Sequence, residues 1–280
     1  MIEISAQDTR IQIAPEFGCA VTQFQFGERN ILRGTSSLSA VANDPREAAC
    51  FPCVPWFGRL TEPLVSGTKQ YAIKSNLPVC DDQFAIHGDG WVNAWVPSVV
   101  DESALTCTYL HQPTRGNYPF KYSAQQRFCA TPAGLEISLG VRNESMNAIP
   151  VGLGLHPFFL RTATTRLTVS ADEIWTPPSH DQPGDQRPTE PSTDFRQTNV
   201  LPDSGIDHTL LGWDGIARIE NSGGVTTLRS DAPYLHLYAP IGQGYFCLEP
   251  ITQLPGKFGN RLLNTGEDHV LTLSIEYTPN

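Results

Sequence analysis

Apolar and polar residues alternate strictly along much of this chain, and a period of two restricts it to β-structure. In residues 134–142, Leu135, Ile137, Leu139 and Val141 fall on one face, and Glu136, Ser138 and Arg142 on the other. Leu271, Leu273, Ile275 and Tyr277 alternate in the same way with Thr272, Ser274, Glu276 and Thr278. Shorter runs repeat the pattern at Ile11 and Ile13, Phe24 and Phe26, Leu105, Cys107 and Tyr109, and Leu235 and Leu237. No long segment carries a helical period; residues 44–49 allow a turn or two. The 23 glycines and 23 prolines fall between the alternating runs. Many short strands separated by turn residues predict an all-β sandwich or barrel. No fixed repeat and no shift in composition divides the chain, so residues 1–280 read as one domain. Residues 177–207 hold six prolines and almost no alternation. They are expected to form a long ordered loop over the sheet.

Charge and composition narrow the partners. The net charge of −10 argues against nucleic acid and anionic membrane surfaces, and weakens any polyanionic substrate. A small neutral ligand fits better. No apolar run approaches membrane-spanning length, and Met1-Ile2-Glu3-Ile4-Ser5 has neither the basic nor the apolar part of a secretory signal. Seven irregularly spaced cysteines suit a reduced, cytoplasmic protein with buried thiols. Cys50-Phe51-Pro52-Cys53 is a lone CxxC; a zinc site needs two further ligands, so two packed thiols near a turn are expected.

Chemistry can come from two histidines and a glutamate, each beside a residue that limits its backbone. If Val151-Gly152-Leu153-Gly154-Leu155-His156 is a strand, Val151, Leu153 and Leu155 face the core. Gly152, Gly154 and His156 then face the other way. Glycines on the histidine's face suggest open space for a ligand, and Pro157 should end the ladder. A structural histidine is the alternative. In Tyr245-Phe246-Cys247-Leu248-Glu249, Phe246 and Leu248 pack inward, and Glu249 shares the opposite face with Tyr245 and Cys247. A carboxylate at the end of an apolar run is either a rim charge or a partnered, working group. His87 lies in the turn-rich His87-Gly88-Asp89-Gly90-Trp91. Trp91 and Trp95 offer flat faces for stacking a sugar, or else belong to the core. Arg59, in an aromatic stretch, can donate a fork of hydrogen bonds, and Asp207 can accept from a hydroxyl or cap a turn.

The order Arg59, His87-Gly88, His156-Pro157-Phe158-Phe159, Asp207, Glu249-Pro250 resembles the aldose 1-epimerase (galactose mutarotase) family over most of the chain. The resemblance implies a large antiparallel β-sandwich with an open cleft on one sheet. It implies Glu249 as general base, His156 as general acid, and His87, Asp207 and Arg59 as sugar-binding residues, with no metal or cofactor. The implied reaction interconverts the α and β anomers of an aldose. Epimerisation of a hexose 6-phosphate and non-catalytic carbohydrate binding are the alternatives. Three positions depart from the family pattern, which usually has Asn where this chain has Gly58 before the arginine, Leu155 before His-Pro, and Leu160 after the aromatic pair. These are expected to modify the surroundings of the site and the choice of sugar.

Overall fold

The computed structural model describes residues 1–77, 83–114, 117–178 and 184–280. Two antiparallel sheets dominate it. The first has eleven strands. Along it run Ile2–Ala6, Thr9–Ala14, Ala20–Phe26, Cys50–Cys53, Gly154–Leu160, Tyr245–Ile251, Tyr234–Ala239, Ile206–Leu211, Glu173–Thr176 and Asp185–Pro188, with Arg29–Asn30 paired to Ala20–Phe26. The second has nine strands, with Gly134–Asn143 between Asp268–Pro279 and Tyr122–Thr131 near its middle. The expected alternating runs are therefore strands, and the all-β antiparallel sandwich is what the chain forms.

The inward faces of both sheets meet in one core. Leu153, Leu155, Phe246, Leu248, Leu235 and Leu237 of the first sheet join Ile137, Leu139, Leu271 and Leu273 of the second, all 2% exposed or less. Burial of these side chains supplies the driving force, at roughly 1.5–3 kcal/mol for each. It also fixes register, because a slip of one residue would exchange the core face for the outer one.

Local structure departs from expectation in four places. Among the described residues the one α-helix is Leu38–Asn43, capped by the Ser37 hydroxyl, which accepts from the Ala40 amide at 3.1 Å. Residues 44–49 contribute only the short 3-10 turn Pro45–Glu47. Pro157 does not end its strand: Gly154–Leu160 continues past it, because Phe158 resumes the ladder by donating to Ala49 O. Cys50 and Cys53 are not packed on one another near a turn. They lie three residues apart in a strand, so Cys50 enters the inter-sheet core while Cys53 faces outward. Residues 177–207 are not one loop either. Asp185–Pro188 extends the first sheet and Asn199–Val200 the second. Residues 179–183 of this stretch, and Cys80, lie outside the described residues. Among the described residues no helix is long and apolar enough to cross a membrane.

Candidate active site

Four adjacent strands of the first sheet carry a row of functional side chains on its outer face. His156 pairs with Phe51 across one strand boundary, and His236 pairs with Glu249 and with Thr209 across two others. Between the pairs Gly154–Ile251 and Phe158–Cys247, the register sets His156 beside Glu249. Asp207, two residues before Thr209, shares its face. The pleat thus aligns groups that lie as far as 198 positions apart in sequence, from Phe51 to Glu249.

His156 Nε2 stands 3.4 Å from Glu249 Oε1. The two residues are 8% and 1% exposed. Glu249 Oε2 and His156 Nδ1 are buried with no hydrogen-bond partner among the described residues. The imidazole is held by rings: Phe158 stacks on it at 4.7 Å and Phe51 lies at 4.5 Å. Burial drives both members toward their uncharged forms. Loss of solvation, then the Asp207 charge, raises the Glu249 carboxyl well above the usual carboxylate range. Loss of solvation, then repulsion from His87 and His236, lowers His156 well below the usual histidine value.

His87 comes from a turn that packs against residues 54–58, just beyond the end of the strand Cys50–Cys53. It holds φ +57°, and Gly88 follows at φ +77°. A Cβ on Gly88 would sit 2.0 Å from Val54 O, so no other residue fits there. The turn is fixed by the His87 amide donating to Gly58 O at 3.1 Å and the Val54 amide donating to His87 O at 3.2 Å. His87 Nδ1 accepts from the Gly58 amide at 3.3 Å and lies 3.2 Å from Cys53 Sγ. The Cys53 thiol is raised well above its ordinary value by burial, so it is the donor in that contact. With Nδ1 occupied as an acceptor, Nε2 carries the proton.

His236 was not among the residues singled out from sequence. Its Nε2 donates to Asp207 Oδ1 at 3.1 Å, and its Nδ1 pairs with Thr209 Oγ1 at 2.9 Å. Burial alone would raise Asp207; the hydrogen bond from His236 and the nearby cations outweigh it and keep the carboxylate low. The signal was present: Leu235 and Leu237 alternate inward, which puts His236 on Glu249's face.

A cleft of about 300 Å³ runs over this row, lined by Arg59, His87, His156, Asp207, His236 and Glu249 among others. Five of the seven residues expected from sequence therefore converge. Trp91 lies to one side, its indole donating to Ile86 O at 3.0 Å and its ring 5.4 Å from His87. Trp95 is no part of the cleft; it is a core residue, 3% exposed, donating to Gly90 O. The glycines on the histidine's face do not leave open space. A Cβ on Gly154 would lie 2.8 Å from the Phe57 ring, and one on Gly152 1.8 Å from Gln253 Oε1. They admit neighbouring protein side chains, and the ligand space lies beyond His156. Leu155 points into the core, as the alternation predicts, so it does not line the cleft as its departure from the family pattern suggested. His156, Cys247 and Glu249 also present donor atoms within 4.8 Å of one another, a set able to take a soft divalent cation.

The electrostatics of His87 make one testable demand. Burial, then Arg59 and His236, push it down to about 3. Such a histidine binds its proton only on unfolding between pH 6.5 and about 3. Its stabilisation is therefore complete above pH 6.5 and is lost as pH falls through that window. Urea unfolding between pH 5.5 and 4.5 should show the wild type losing about 1.4 kcal/mol more than His87→Gln, one proton's worth per pH unit. Equal slopes would contradict a buried neutral His87.

Comparison with known proteins gives the family. A profile of the family described as aldose 1-epimerase matches residues 1–275. The chain is 31% identical over 232 residues to the uncharacterised Escherichia coli K12 protein YphB, covering 78% of this chain and 76% of YphB. A crystal structure from Escherichia coli K12, named provisionally as an aldose 1-epimerase, is similar at a TM-score of 0.88 and 25% identity, over 99% of this chain and 98% of that one. The galactose 1-epimerase of Lactobacillus acidophilus NCFM shares the fold at a TM-score of 0.81 and 16% identity, over 99% and 93%. With a match that leaves only the last residues outside, this chain belongs to the aldose 1-epimerase family.

Proposed function

We propose that the protein is a working aldose 1-epimerase, with Glu249 and His156 as its acid/base pair. The observation that carries this reading is the buried contact of the two side chains at 3.4 Å, each with an unpartnered polar atom, beside the cleft. A buried polar atom without a partner calls for one, and a sugar's O1 hydroxyl and ring oxygen would supply it.

The chemistry is a proton circuit. Glu249 as carboxylate takes the proton from the O1 hydroxyl, and His156 as imidazolium gives one to the ring oxygen. The C1–O5 bond breaks as C1=O1 forms. The free aldehyde rotates about C1–C2, and the ring closes on the other face with the roles reversed. After ring opening Glu249 is protonated and His156 neutral, which is the state that burial favours for both. Desolvation thus strengthens the base and the acid together, and both changes push ring opening forward. The charged and uncharged forms of the pair hold the same single proton, so pH does not alter their ratio. Nε2–H of His87, the Arg59 guanidinium and the Asp207 carboxylate suit the sugar hydroxyls. His236, which touches Asp207 and Thr209, is a positioning residue for that carboxylate.

The roles of the pair are tested by substitution. Glu249→Gln and His156→Ala should each lower mutarotation by at least about a hundred-fold, the low end for a general base or acid. Polarimetry on freshly dissolved single anomers would measure this, with circular dichroism to verify folding. A folded variant of near wild-type rate would remove that residue from the mechanism.

The circuit routes no step through a metal, although His156, Cys247 and Glu249 could bind one. Full activity is expected after exhaustive chelation. Activity lost to EDTA and restored by zinc would contradict the proton circuit.

A further inference from the structure

The cleft does not end at the acid/base pair. A second hollow of about 370 Å³ adjoins it on the same sheet face, and His87, His156 and Tyr238 line both. It extends toward Phe158, two residues beyond His156, and toward Tyr245, four residues before Glu249. Each hollow reaches the lower end of the roughly 300–1,000 Å³ that small-ligand pockets occupy. A single pyranose needs only one of them.

We infer that the second hollow is a subsite for a second sugar ring, carried on C6 of the aldose that reacts. The preferred substrates are then reducing disaccharides joined 1→6. This deepens the epimerase reading and rests on it. Ring chemistry directs the choice of C6. In a pyranose the ring oxygen is bonded to C1 and C5, and C5 bears C6. Glu249, which serves O1, lines only the first hollow, whereas His156, which serves the ring oxygen, lines both. The substituent that leaves the ring past His156 is therefore the one on C5.

The charges of the second hollow favour a neutral group there over a phosphate. Arg33 and Arg46 are balanced by Asp44 and Glu47. Asp44 takes the Arg46 guanidinium at 2.7 Å and 2.9 Å. The Arg33 guanidinium is held between the rings of Phe158 and Tyr245, at 4.1 Å and 4.6 Å, and donates to Ala48 O at 2.9 Å and to Arg46 O. A dianion needs surplus positive charge. Arg46 is paired with Asp44, and Arg33, although its buried Nε has no hydrogen-bond partner among the described residues, is committed through its other nitrogens and its plane to two carbonyls and two rings. Tyr238 and Tyr245, half-buried, offer apolar surface with a hydroxyl, and the exposed Gln243 an amide, which together suit a sugar ring.

The test compares isomaltose and gentiobiose with glucose, maltose and glucose 6-phosphate, by kcat/KM for mutarotation of single anomers. Isomaltose or gentiobiose should exceed glucose by about ten-fold or more. Gln243→Ala and Tyr245→Ala should each lower that ratio by several-fold; Gln243 is exposed, so its variant tests the subsite without disturbing the core. Glucose turned over with both 1→6 disaccharides no better, or a ratio unmoved in both variants, overturns the subsite alone. Preference for glucose 6-phosphate overturns its neutral character and with it the proposal. Mutarotation of no sugar overturns the epimerase reading, and the subsite falls with it.

Discussion

Glu249 and His156 face each other at 3.4 Å, both nearly removed from water. Burying two such groups is expensive unless they are paired or give up their charges. Here burial shifts both toward the neutral state, so the pair retains one proton. That constraint organises the surroundings. The rings of Phe51 and Phe158 hold the imidazole, and the core behind the strands fixes the register that sets the two groups side by side. Around the pair the polar groups are settled by protein contacts: Cys53 and the Gly58 amide fix the His87 tautomer, and His236 holds Asp207.

Much of the fold was legible from alternation alone. Leu135, Ile137, Leu139 and Val141 declare a strand because its two faces meet different surroundings, and the same logic correctly turned Glu249 and His156 outward. The logic fails where the surroundings are not set by the segment itself. Gly152 and Gly154 suggest open space, but Gln253 and Phe57, far away in sequence, fill it. Trp95 is an apolar residue near a site motif, and only the tertiary structure shows that it serves the core. Cys50 and Cys53 look like a pair until the strand period separates them. Residues 177–207 lack alternation because their strands are only two to four residues long and lie at sheet edges.

The candidate site was legible as a set of residue types and only partly as an arrangement. Arg59, His87, His156, Asp207 and Glu249 were visible through their order along the chain. That order carries no distances, and the 3.4 Å contact belongs to the register of the sheet. His236 was hidden by its plain setting between two leucines, although the alternation that places it is the same one that places Glu249. The two adjoining hollows could not be read from sequence, since Arg33, Asp44, Tyr238 and Gln243 reach one place from separate parts of the chain.

The central claim is that Glu249 takes a proton from O1 while His156 gives one to the ring oxygen, which opens and closes a sugar ring while O1 stays on C1. The most direct measurement follows glucose labelled with ¹⁸O at O1, using exchange NMR for anomer interconversion and mass spectrometry for the label. Ring opening predicts interconversion far above the uncatalysed rate with the label retained over many turnovers. Loss of one label per interconversion, as cleavage of the C1–O1 bond would require, would contradict it, as would the absence of any acceleration with every aldose tried.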